Sequence, residues 1–170
     1  MNIKQNTTNF NRNILIWLIT LTLMVFAIII VGGLTRLTNS GLSMVNWRPI
    51  LGIMPPLNVN DWNEVFNLYK TSPEYMYVNQ TISLNEFKYI FWWEWGHRVL
   101  ARLIGLVFFF PFIYFIFKKY LNFKLIIRLT IILIFGFFQA LVGWWMVKSG
   151  LSEDPYVSAY RLTFHLMNAL

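Results

Sequence analysis

The sequence contains no cysteine. That excludes disulfides, thiol nucleophiles and any zinc or iron–sulfur site built on Cys. Histidine is nearly absent too, and His97 and His165 are the two strongest metal ligands left. Charge is scarce: only 12% of the 170 residues are Asp, Glu, Lys or Arg. A soluble domain usually carries about 25%, because a water-facing surface needs charge to cover it. Acidic residues are the scarcer sign, 7 against 14 basic, for a formal net charge of +7.

What is abundant is apolar bulk. Hydrophobic residues make up 57% of the chain, with 16 Phe, 8 Trp and 8 Tyr. The basic excess does not point to nucleic acid, because the charges form no patch and lie between long apolar runs. That distribution is a topology signal, and it predicts an all-α polytopic membrane protein.

A polar tail, residues 1–13, precedes Ile14 to Leu34, which is a stretch without any charge. Its length, at about 1.5 Å per residue, spans a hydrocarbon core of about 30 Å. It is too long for a signal-peptide core and no A-x-A-like site follows it. The reading is a first transmembrane helix over about 14–34, closed by Gly32-Gly33. Residues 35–91 form a long loop broken by Pro49, Pro55, Pro56 and Pro73. Short amphipathic helices are expected at Asp61 to Tyr69 and Ser83 to Ile90, the latter opened by a Ser83/Glu86 capping box. A second span follows at 92–117 with a kink at Pro111, a basic connector at 118–128, a third span at 129–147 and a second polar loop at 148–159. A fourth span starts at Tyr160 and reaches only about half a bilayer by Leu170, so the chain reads as cut within it.

Lys4, Arg12, Lys118, Lys119, Lys124 and Arg128 lie in the tail and connector, where no acidic residue occurs. The positive-inside rule puts these in the cytoplasm and both polar loops outside. The Trp92, Trp93, Trp95 and Trp144, Trp145 groups then fall at the outer face as an aromatic belt.

Glu94 and His97 are three residues apart, so one helical face carries both. The second and fourth spans run in the same direction, with His97 and His165 each about five residues in. The two imidazoles are therefore expected at one depth, near the outer edge of the hydrocarbon. Two such histidines on helices of a bundle suit the axial positions of a heme iron. The carboxylate beside them is placed to take a proton or to stabilise developing positive charge. Plainer readings stand beside these. Each histidine on its own fits an interfacial or hydrogen-bonded core residue, and Glu94 fits an i,i+4 ion pair with Arg98. Arg98 and Arg102 suit heme propionates or, equally, snorkelling to the interface. Phe108-Phe109-Phe110 reads as lipid-facing or packing bulk, and Gly105, Gly136 and Gly143 as points of close helix packing.

Four blocks of this sequence are distinctive: GGLTRLTNSGLSMVNWRPILGIMPP from Gly32, FKYIFWWEWGHRVLARLIGL from Phe87, QALVGWWMVKSGL from Gln139 and YRLTFHL from Tyr160. Together they resemble the heme A synthase family, in its Cys-free mitochondrial and proteobacterial branch. The resemblance implies an eight-helix fold of two pseudo-symmetric halves, of which this chain covers the N-terminal one as three complete spans and a shortened fourth. It implies that His97 and His165 hold the iron of heme o, the substrate, with Glu94 catalytic, and that heme b sits in the C-terminal half. The implied reaction oxidises a ring methyl of heme o to a formyl group, giving heme a for terminal oxidases. The implied setting is the bacterial inner membrane, or the mitochondrial one in a eukaryote. A heme o-making farnesyltransferase, an electron carrier and a homo-oligomer are the implied partners. The alternatives are a b-type electron-transfer subunit that needs the histidines without Glu94, or an inactive shortened form.

Overall fold

The computed structural model describes residues 12–46, 51–152 and 154–169. The expectations for most of the tail, for Pro49 and for Leu170 lie outside them. Among the described residues the chain is all-helical: α1 (Arg12–Leu37), α2 (Val59–Tyr69), α3 (Pro73–Tyr77), α4 (Leu84–Phe117), α5 (Phe123–Gly150) and α6 (Ala159–Ala169), with a single 3-10 turn at Leu51–Ile53. Three of these, α1, α4 and α5, are long and apolar enough to cross a membrane, with mean hydropathies of 3.0, 2.3 and 2.4. Less than a fifth of each apolar stretch is covered by the rest of the protein. The uncovered remainder is apolar surface that water does not tolerate in this quantity. The protein is an integral membrane protein with several spanning helices.

Local chemistry sets where each helix starts and stops. Ser83 accepts a hydrogen bond from the Glu86 backbone, and the Glu86 carboxylate accepts one from the Ser83 backbone at 2.8 Å. This is the anticipated capping box, but it opens all of α4 rather than a separate short helix. With 34 residues, α4 is about 51 Å long, so its first turns stand outside a hydrocarbon core of about 30 Å. Helix α1 differs in the same direction. It runs through Gly32-Gly33 and stops at Asn39, whose positive φ of 49° turns the chain. Ser40 N–H bonds to the Thr35 carbonyl and Asn39 N–H to the Arg36 carbonyl, which together satisfy the helix's last turn. Lys119, with φ 54°, ends α4 by the same pair of bonds. The unanticipated α3 begins with Ser72 as its cap and Pro73 in its first turn.

Two cores result. In one, Ile14, Trp17 and Leu21 of α1 pack on Phe108, Phe112 and Phe115 of α4 and Leu129 of α5. In the other, Trp62, Phe66 and Tyr69 of α2 lie on Phe87, Ile90 and Phe91 of α4, fixing the long loop to the extramembrane part of that helix. Of the phenylalanine triplet, Phe108 is core while Phe109 and Phe110 are exposed. Helix α4 continues past Pro111, which has no N–H for the Val107 carbonyl four residues back. The Trp17 indole N–H fills that vacancy, donating to the Val107 carbonyl at 2.8 Å. In lipid an unpaired carbonyl is costly, so this bond explains how the proline is tolerated. A methyl at Gly143 would meet another helix, but one at Gly105 or Gly136 would meet nothing within 4 Å. Among the described residues, those two glycines are not packing points.

Candidate functional site

Glu94 is buried, 3% exposed, on the face of α4 that meets the segment following α1. A buried carboxylate needs several donors to offset its lost hydration. Ser43 Oγ donates to its Oε2 at 2.7 Å and the Met44 N–H donates to the same oxygen at 2.8 Å. Arg98, one turn on, forms an ion pair with Oε1, with the acid on the N-terminal side, the better orientation on a helix. Arg98 Nη2 also donates to the Met44 carbonyl at 3.3 Å. Glu94 and Arg98 thus clamp Met44 from both of its backbone groups. The ion pair weighed from spacing alone is present, and it is part of a larger cradle. Arg102, a turn further along, is partly buried.

His97 and His165 are both half-buried. Each ring lies against a glycine of a neighbouring helix. His97 Nε2 stands 3.2 Å from where a Cβ on Gly32 of α1 would be. His165 Cε1 stands 3.0 Å from the corresponding point on Gly143 of α5. Any larger residue at either position would push the ring away. The two imidazoles are near enough for their charges to interact, and His97 also feels Glu94 and Arg98. His165 Nδ1 is buried with no hydrogen-bond partner, an expensive state for an imidazole nitrogen unless something else engages the ring. Gln139 of α5 holds the His165 end of α6, donating to the His165 carbonyl at 3.0 Å and accepting from Asn168 at 2.6 Å.

Sequence reasoning did not single out Ser43, Met44, Gly32 or Gln139 for the site. Their signal is faint: small or amide residues inside apolar or loop segments, with nothing in the spacing to tie them to α4 or α6. It also missed a second buried acid. Glu74, 6% exposed, accepts from the Tyr69 hydroxyl at 3.0 Å, and Asn79 donates to that hydroxyl at 2.8 Å. Burial pushes the Glu74 carboxyl up to about 7, against the Tyr69 bond and with help from the negative charge of Glu94. Burial likewise pushes the Tyr69 phenol upward.

Among the described residues no three His, Asp or Glu side chains gather to hold a bare metal ion. Two imidazoles do suit a heme, whose porphyrin supplies the other four nitrogens. The fold and the site define a helical integral membrane protein with a buried acid–arginine cradle beside a pair of glycine-seated histidines. Residues 15–170 match the COX15-CtaA family, described as cytochrome oxidase assembly protein, and the chain belongs to that family. It is 54% identical over 155 residues to a heme A synthase of Nitrosospira multiformis, covering 91% of this chain and 44% of that protein. It is 49% identical over 164 residues to a heme A synthase of Nitrosomonas eutropha, covering 96% of this chain and 46% of the relative. A heme A synthase of Parvibaculum lavamentivorans is 49% identical over 150 residues, covering 88% and 44%. The chain thus spans less than half the length of these relatives. No solved structure matches it.

Proposed function

We propose that this chain provides the heme o-binding half of a heme A synthase, an oxidoreductase that converts a ring methyl of heme o to the formyl group of heme a. The observation that carries the reading is the paired seating of His97 and His165 over Gly32 and Gly143, with His165 Nδ1 buried and unpartnered. In this reading the two imidazoles would hold the substrate's iron. Converting the methyl to a formyl group is a four-electron oxidation that also takes up an oxygen atom, and both the electron acceptor and the oxygen come from outside this chain. Glu94, one turn from His97, would lie beside the macrocycle edge. Its cradle aims the Ser43 hydroxyl, the Met44 N–H and Arg98 at the carboxylate, and the acid so held would stabilise positive charge developing at the ring substituent. When one of its donors lets go, the same carboxylate is placed to take a proton. Heme b is assigned to no residue of this chain, and in the relatives the reading puts it outside the shared stretch.

The topology proposed with it has residues 1–13 and 118–128 in the cytoplasm, residues 35–91 and 148–159 outside, and the fourth span at 160–170. The setting is the bacterial inner membrane, or its mitochondrial counterpart. The heme o-making farnesyltransferase, an electron carrier and a second copy are the proposed partners.

The test is Glu94→Ala in the full gene product, expressed with a heme o supply. Heme a formation should fall by about 100-fold or more, while heme extracted with the purified protein stays at the level of the unaltered one. Undiminished heme a would refute the role of Glu94. A redox-active bound heme that is never converted, even in the unaltered protein, would favour an electron-transfer subunit instead.

A further inference from the structure

A cleft opens where α5 ends and α6 begins, lined by Lys148, Ser149, Asp154, Ser158 and Arg161, with Trp145 as its wall. Among the described residues lining it, two cations stand against one acid. Its floor is tied down: the Ser149 hydroxyl donates to the Met146 carbonyl and accepts from the Ser158 N–H at 2.9 Å, closing the turn between the helices. The Arg161 guanidinium is also fixed. It stacks 4.5 Å from the Trp145 ring centroid, and Nη1 donates to the Trp145 carbonyl at 2.9 Å. That bond uses one of five donors, and the planar fork holds the others in set directions. The Lys148 ammonium lies 5.3 Å from the Trp144 ring centroid.

The cleft lies at the same end of the bundle as the Glu94 cradle. Leu42, next to Ser43, reaches the last residue of α5, with its Cδ1 2.8 Å from where a Cβ on Gly150 would stand. Along α6, Arg161 precedes His165 by one turn on the side of this end. Arg102 follows His97 by more than a turn along α4 and so starts from the opposite side of that histidine, whereas Arg98 reaches back toward the loop end. Arg98 also spends Nη2 on Glu94 and Met44. A heme held between His97 and His165 carries two carboxylates, and ionised groups are costly within the hydrocarbon. They belong at the loop end.

We propose that the Lys148–Arg161 cleft is the carboxylate subsite of the heme pocket. Arg161 takes one propionate through its remaining donors, and Lys148 holds the second. The proposal rests on His97 and His165 being the iron ligands. It moves propionate recognition from Arg98 and Arg102, where helix spacing suggested it, to the turn between α5 and α6.

The test uses the purified protein in phosphatidylcholine nanodiscs, which present no net anionic headgroup. It is titrated with iron protoporphyrin IX and, separately, with its dimethyl ester, each followed by the bis-imidazole difference spectrum. The free acid should bind roughly tenfold or more tightly than the ester. Arg161→Gln should erase most of that preference, Arg161→Lys should retain part of it, and Lys148→Gln should reduce it, all with the spectral shape unchanged. Equal affinity for acid and ester in the unaltered protein, or a full preference surviving both glutamine variants, overturns the subsite while leaving the iron ligands standing. Absence of the bis-imidazole spectrum in the unaltered protein, or its persistence in His165→Ala, overturns the ligand assignment and the subsite with it.

Discussion

Glu74 makes the long loop between α1 and α4 pH-sensitive. Its carboxyl is 6% exposed and has the Tyr69 hydroxyl as its side-chain donor. Burial is the main force raising it from 4.5 to about 7. A raised value means that the folded loop binds the proton more tightly than the unfolded one. The stabilisation is therefore complete below 4.5 and is lost as pH rises through 7. At about 1.4 kcal/mol per decade, that interval corresponds to a loss on the order of 3 kcal/mol by about pH 8. Amide hydrogen exchange across α2 and α3 in nanodiscs, corrected for the intrinsic pH dependence of exchange, reads this directly. Protection should fall by up to about 100-fold between about pH 5 and about pH 8. Glu74→Gln keeps an acceptor for Tyr69 but has no charge to bury, so its protection should stay flat. A flat profile in the unaltered protein, or an equal slope in Glu74→Gln, would refute the argument.

Two further outcomes follow from the helix packing. Trp17→Phe removes the donor that satisfies the Val107 carbonyl and should cost about 1–3 kcal/mol in reversible unfolding in detergent. Pro111→Ala restores the missing backbone N–H, so the double variant should lose less than the sum of the two singles, and simple additivity would show that the indole bond is immaterial. Gly143→Ala puts a methyl 3.0 Å from His165 Cε1, and Gly32→Ala puts one 3.2 Å from His97 Nε2. Overpacking of this kind costs about 1–3 kcal/mol, so both should weaken heme binding in a spectral titration, Gly143→Ala the more. Unchanged affinity in both would sink the seating argument.

The spanning helices were legible because an uncharged run as long as Ile14 to Leu34 leaves the chain few alternatives to crossing a bilayer. Their ends were not. Hydropathy falls before a helix does, since a helix that leaves the membrane keeps its backbone bonds in water. Leu84 to Phe91 shows this: its polar residues read as a short helix separate from the second span, while its cap at Ser83 and its buried Phe87, Ile90 and Phe91 continue α4 outward. The end of α1 was hidden for the opposite reason. Gly32-Gly33 looked like a terminator, but Gly32 is placed for the approach of His97. The real stop is Asn39, one of the few non-glycine residue types that accept a left-handed turn. Helix α3 carried a local Ser-Pro-Glu start signal but is too short to show a period.

The site divides along a similar line. Helical spacing alone puts Glu94, His97 and Arg98 within a turn of one another, because i,i+3 and i,i+4 neighbours depend on nothing outside α4. Spacing cannot choose among the partners it permits. From spacing, Arg98 suited an ion pair with Glu94, and with Arg102 it suited propionates or, equally, snorkelling to the interface. The choice is made by Met44, which a returning loop brings in from 50 residues away with a carbonyl for the arginine and an N–H for the acid. Once that clamp closes, the two charges largely neutralise each other. Anionic groups of a ligand must then find their cations elsewhere, and at the loop end of the bundle the described structure offers Lys148 and Arg161. The residues that hold a charged ligand's periphery were thus the least legible part. Their role depends on which cations the buried acids have already claimed, and that is settled by tertiary contacts rather than by any local pattern.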